Sequence, residues 1–120
     1  MNKTTLVLGA SLKPDRYSFL AVEKLVSYNH IVFAFGLKSG VIAGITIDTE
    51  LVPYKNVHTI TLYVNPKAQK MYYDYVISLK PERVIFNPGT ENPEFYDKLT
   101  KHGIFYEVAC TLVLLSINQY

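Results

Sequence analysis

The chain has 120 residues, of which 49% are hydrophobic and 18% charged, and it carries a formal charge of +2 at pH 7. This is the size of one ordinary domain, expected to span residues 1–120, and it leaves too little chain for separate cofactor and substrate domains. The balance argues against extensive disorder, the small charge without a basic run argues against a nucleic-acid partner, and a single cysteine, Cys110, excludes an internal disulfide or a cysteine-rich zinc site.

No run approaches the roughly 20 apolar residues that span a bilayer, and the apolar run after Lys3 is shorter than a signal peptide requires. Neither a membrane partner nor secretion is expected, and the lone cysteine suits a cytoplasmic location. Along the chain, Thr5-Leu6-Val7-Leu8 reads as a buried strand that stops at Gly9-Ala10-Ser11. From Ser18 the apolar residues Ala21, Val22, Leu25 and Val26 recur at helical spacing, and Asn29 suits a left-handed helix end.

Residues 30–35 read as a second strand, followed by the loop 36–40 and two weak apolar runs at 41–43 and 44–47. Residues 59–64 form another strand. Asn65-Pro66 then combines an N-cap with a proline at the first helical position, predicting one helix that continues through Leu79 and ends before Pro81. Residues 83–87 read as a strand ending at Pro88-Gly89, Asn92-Pro93 opens a helix that stops at His102-Gly103, and a last strand at 104–108 precedes a closing helix at 111–117. Strands alternating with helices predict an α/β Rossmann-like three-layer sandwich, a mostly parallel sheet of about five strands with helices on both faces.

In such a sheet, ligands bind beyond the carboxyl ends of the strands. The first of these loops carries Gly9, Ala10 and Ser11, then Pro14, Arg16 and Ser18 at the start of a helix, whose unpaired amides and dipole favour an anion. It is not the GxGxxG of common dinucleotide enzymes. The second loop lacks the acidic residue that would bind the ribose 2′-hydroxyl of NAD and instead offers Lys38, a cation suited to a ribose phosphate. The other loops carry Val64, Asn65 and Pro66 after one strand, and Gly89 and Asn92 after another.

Taken together, these residues resemble the CoA-binding proteins related to the CoA-binding domain of succinyl-CoA synthetase. The likeness rests on Gly9-Ala10-Ser11 with Pro14, Arg16 and Ser18, on Lys38, on Val64-Asn65-Pro66, and on Gly89 with Asn92 and Glu94. Cys110 falls where many members carry a cysteine after the last strand. The resemblance implies CoA or an acyl-CoA as the cofactor, its ADP moiety over the first loop, its 3′-phosphate or pyrophosphate near basic groups, and its adenine near the strand that ends at Val64. The second strand departs from the family by ending Phe-Gly-Leu-Lys rather than in an Asn-Pro-Lys type of sequence.

No catalytic constellation is legible. His30, His58 and His102 are dispersed and lack metal-ligand spacing, the acidic residues form no tight pair, no Gly-x-Ser-x-Gly elbow occurs, and Cys110 lacks a paired histidine or second cysteine and reads as a buried, inert thiol. The ten tyrosines, with Tyr72, Tyr73 and Tyr75 on one helix and Tyr96 on another, and the apolar run 113–115 suit either a homodimer contact or ordinary packing. The expected function is a nucleotide-binding module. The alternatives are an oxidoreductase-like NADP binder and a degenerate nucleotide site that serves protein interaction.

Overall fold

Short apolar strands with two buried faces need cover on both sides. The computed structural model, which describes residues 2–120, satisfies this with an α/β architecture. Strand β1 (Thr5–Leu8) leads to helix α1 (Tyr17–Ser27), β2 (Val32–Phe35), the small strands β3 (Gly40–Ile42) and β4 (Ile45–Asp48), and β5 (Thr59–Leu62). Then come α2 (Pro66–Gln69), a 3-10 turn (Lys70–Tyr72), α3 (Tyr73–Ser78), β6 (Arg83–Phe86), α4 (Pro93–Lys101), β7 (Phe105–Val108) and α5 (Thr111–Ser116). The sheet order is β3-β4-β2-β1-β5-β6-β7, and every pairing is parallel except β3 with β4.

Alternation along the strands divides the core in two. Leu6, Leu8, Ile60, Leu62, Val84 and Phe86 pack with Tyr72, Tyr73 and Val76 of the α3 region and with Phe95 and Leu99 of α4. From the other face Val7, Val32, Ala34 and Ile47 meet Val22 and Leu25 of α1 and Leu115 of α5. Helices therefore cover both faces, as expected. The tyrosines serve mainly this packing: Tyr72 and Tyr73 are buried, and the half-buried Tyr96 stacks on Tyr106 with ring centroids 4.4 Å apart. Of the apolar run near the end, Leu115 is buried and Val113 remains exposed.

Two sequence expectations change. The sheet has seven strands rather than about five, because the weak runs at 41–47 form an antiparallel hairpin. Its two-residue turn has φ of 49° at Ala43 and 82° at Gly44, the left-handed conformations a tight hairpin requires. The helix expected from Asn65 to Leu79 is interrupted by the 3-10 turn, since Gln69 is drawn fully inside and the adjacent Tyr72 and Tyr73 are both buried. Residues 49–58 cross from β4 to β5 without a helix, and are held by Tyr54 stacked on Phe33 at 4.4 Å and by Tyr75 Oη donating to the Val52 carbonyl at 2.5 Å.

The three histidines occupy element ends. His102 caps α4, and His58 sits just before β5 with Nε2 3.9 Å from Glu82. His30 Nδ1 accepts the Lys3 amide at 2.9 Å, a bond that requires this nitrogen to be unprotonated. Burial above all, with the positive charges of Lys3 and Arg83 adding to it, holds the His30 pKa below the ordinary histidine value. The stability linked to neutral His30 is therefore complete above the unfolded-state pKa of about 6.5 and is lost as pH falls through the lower folded value. Thermal melts at pH 7.5 and 5 should show the advantage of the wild type over His30→Asn shrinking in acid; an advantage that grows in acid would contradict this.

The carboxyl ends of β1 and β2 interlock. The amides of Gly9 and Ala10 both donate to the Phe35 carbonyl, at 2.9 and 2.8 Å, and the Gly36 amide donates to the Asp48 carbonyl at 3.0 Å. A Cβ on Gly36 would lie 2.3 Å from the Ala10 carbonyl oxygen, a contact only a backbone shift relieves. Gly36→Ala is expected to destabilise the fold by about 1–3 kcal/mol, the range for overpacking, and urea unfolding with an unchanged m-value is the check.

Candidate functional site

The chain runs outward from β1 through β2 to the β3–β4 hairpin on one side, and from β5 through β6 to β7 on the other. Neighbouring strands β1 and β5 thus send their following segments in opposite directions, which opens a crevice at their carboxyl ends. A cleft of about 490 Å³ lies there, lined by Gly9, Asp15, Arg16, Tyr17, Ser18, Tyr63 and Pro88.

Gly9 is the pivot of this cleft. Its φ is +106°, and a Cβ would meet the Tyr63 carbonyl carbon and oxygen at 3.0 and 3.1 Å and Val64 Cγ1 at 3.1 Å. Only glycine lets the β1 and β5 ends approach this closely. The Gly9 and Ala10 amides belong to the sheet, as described above, so the amides available to an anion are those at the front of α1. Tyr17 and Ser18 open that helix, where backbone N–H groups lack intrahelical acceptors, and its N-cap Arg16 offers no side-chain acceptor to them. The exposed Arg16 guanidinium adds positive charge, and the Asp15 carboxylate stands beside it in the wall.

Of the residues predicted for the site, Gly9, Arg16 and Ser18 meet in the cleft, with Ser18 buried. Ala10 is buried beneath it against Gly36, and Ser11 turns back to accept the Lys13 amide at 3.2 Å. Pro14 is exposed in the same loop, and Lys38 is exposed in the loop after β2; neither lines the cleft. Asn65 caps α2 by accepting the Ala68 amide at 2.9 Å, with Pro66 at the first helical position. Gly89 has φ of 91°, and its amide is taken by Glu91 Oε1 at 2.8 Å.

Asn92 is buried and fully engaged. Its Oδ1 accepts the Phe95 amide at 3.3 Å, and its Nδ2 donates to Gln69 Oε1 and Tyr73 Oη, each at 2.8 Å. Gln69 Nε2 in turn donates to the carbonyls of Val64 at 2.9 Å and Thr90 at 2.8 Å. A second buried group centres on Asn87, whose Nδ2 donates to Thr61 Oγ1 at 2.6 Å and the Leu62 carbonyl at 2.9 Å, and whose Oδ1 accepts the Thr111 amide at 2.9 Å. Val64, Asn65 and Asn92 thus spend polar groups on architecture.

Sequence reasoning did not single out Asp15, Tyr17, Tyr63 and Pro88. Tyr63 and Pro88 had a positional signal, since each follows a strand's carboxyl end closely. The Tyr63 phenol is pushed up to about 12 by burial, and its hydroxyl finds no hydrogen-bond partner among the described residues although it lies near Thr61 and Thr111. Cys110 is half-buried at the N-cap of α5, and no cluster of metal-ligating side chains occurs among the described residues. In the same residues no helix is long and apolar enough to cross a membrane.

Comparison with known proteins gives this geometry a family. The sequence profile described as CoA binding domain matches residues 3–116. A crystal structure of an uncharacterised protein is 46% identical, with a TM-score of 0.97 over 100% of this chain and 99% of that one. The structure of cell-free ID.343 from Thermus thermophilus is 24% identical, with a TM-score of 0.86 over 99% of this chain and 91% of that one. Aspartate dehydrogenase from Thermotoga maritima, at 16% identity and a TM-score of 0.64 over 90% of this chain and 46% of that one, shares the fold alone. No curated protein matches the chain. With nearly its whole length matched by the family profile and its sheet opening a cleft at the expected switch point, the chain belongs to the CoA-binding domain family.

Proposed function

We propose that the protein is a nucleotide-binding module that takes CoA or an acyl-CoA through its ADP part and has no chemistry of its own. The observation that carries this reading is the cleft at the β1–β5 crevice, where the start of α1 and Arg16 face a space bounded by Tyr17, Tyr63 and Pro88. A pyrophosphate is matched by helix amides, the helix dipole and a guanidinium. The residues present fit such a ligand: the lining combines the polar Arg16 and Ser18 with Tyr17, Tyr63 and Pro88. Membership of the CoA-binding domain family supports the same class of ligand.

Lys38 contributes to ligand choice in this reading. It is exposed beyond the cleft in the loop after β2, on the side where a dinucleotide fold receives the ribose. A ribose phosphate suits a lysine there, which favours CoA over NAD. NADP shares that phosphate, so discrimination between CoA and NADP falls to the rest of the cleft.

Calorimetry with CoA and dephospho-CoA tests these assignments. Arg16→Glu is expected to weaken both ligands by roughly tenfold or more, as for loss of a hydrogen bond to a charged group. Lys38→Glu should weaken CoA while sparing dephospho-CoA. Unchanged CoA affinity in both variants would remove the site. In a thermal-shift series CoA should raise Tm more than NADP or NAD, because a ligand that binds only the folded state stabilises it in proportion to occupancy.

A further inference from the structure

The cleft has one wall contributed by two separate loops, with Tyr63 at the end of β5 and Pro88 at the end of β6. Nothing in the sheet's hydrogen bonding fixes how these loops sit relative to each other beyond Leu62 and Phe86, the last paired residues of the two strands. Two side chains make the link: Asn87, just before Pro88, donates to the Leu62 carbonyl, just before Tyr63, and Gln69 joins the loops further out. Gln69 is 0% exposed, and its carboxamide donates to the Val64 carbonyl, next to Tyr63, and to the Thr90 carbonyl, two residues after Pro88. Its oxygen accepts from Asn92 Nδ2, which also donates to Tyr73 Oη, itself a donor to Glu94 Oε1 at 3.0 Å.

A fully buried amide is costly unless every polar atom is paired, and here both N–H groups and the oxygen are. Two of its partners are main-chain carbonyls, which no substitution can make apolar, so the glutamine cannot be exchanged for a hydrocarbon without leaving them unpaired. The helix is distorted in step with this arrangement: α2 ends at Gln69 and a 3-10 turn follows before α3 resumes. Short 3-10 stretches inside helices mark strained or functional positions.

We propose that Gln69 is a positioning residue that holds the β5 and β6 loops as one rigid wall of the ligand cleft. The proposal rests on the reading of that cleft as the nucleotide site, and it adds that the two loops move together. A ligand pressing on Tyr63 is then felt at Pro88 through Val64, Gln69 and Thr90. The ligand touches neither Gln69 nor Asn92, and both act through the loops they join.

The test compares Gln69→Leu with Ile104→Ala, a core truncation placed before β7, away from the carboxyl ends of the strands. CoA affinity per folded molecule is expected to fall about tenfold or more in Gln69→Leu, as for loss of a residue that orients direct ligand contacts, and to stay at the wild-type value in Ile104→Ala. Gln69→Leu binding CoA like the wild type would overturn the proposal. Hydrogen exchange without ligand gives an independent reading: faster exchange at both Val64–Asn65 and Gly89–Thr90 in Gln69→Leu supports the brace, and unchanged exchange at either loop sinks it. If the wild type itself fails to bind CoA, the functional reading fails while the exchange result still decides the coupling. Should Gln69→Leu not fold, Gln69→Met keeps the length of the side chain and loses both donations; it should show the same loss of affinity, and full affinity in that variant would refute the idea.

Discussion

The close approach of backbone to backbone at the end of β1 governs the functional end of this molecule. Gly9 lies against the Tyr63 carbonyl, Gly36 lies against the Ala10 carbonyl, and the Phe35 carbonyl takes two amides from the turn. With side chains excluded from these contacts, the chain can leave β1 tightly, rise past Pro14 and enter α1 with Arg16 and Ser18 facing the crevice. The cleft is thus a consequence of strand order and of two places where a Cβ does not fit.

Polar pairing supplies what close packing cannot. The core on both sheet faces is largely apolar, and at the carboxyl ends it is joined by buried amides and hydroxyls: Thr61, Gln69, Asn87, Asn92 and Thr111. Asn87 ties the ends of β5 and β6 to the start of α5, and Gln69 ties the loops that follow. Such networks specify geometry when every member is paired. The opposite end has its own polar group, with Arg83 donating to Thr59 Oγ1 at 3.1 Å, paired to Glu107 at 3.1 Å and lying 4.4 Å above the Tyr120 ring.

Much of the fold was legible because its signals are local. The pairs Asn65-Pro66 and Asn92-Pro93 mark helix starts, and both asparagines do cap. Asn29 ends α1 with φ of 66°. The β3–β4 hairpin was read only as weak runs because strands of three and four residues with few buried positions carry little pattern, and Ala43 is not a residue that announces a left-handed turn. The candidate site was legible along β1 and α1, where contacts are close in sequence. It was not legible at Tyr63, which meets Gly9 only through the β1–β5 pairing, nor at Gln69, whose partners lie up to 23 residues away and whose inward face a helical pattern would assign to an apolar residue.

The central claim is that a phosphorylated adenosine ligand enters the crevice between β1 and β5 at the front of α1. Titration of isotope-labelled protein with CoA, followed by amide chemical shifts, tests it most directly. Saturable shifts at Gly9, Arg16, Tyr17, Ser18 and Tyr63 are the result the account requires. Silence at those amides, or shifts gathered instead around Lys3, His30 and Tyr120 at the far end of the sheet, would contradict it.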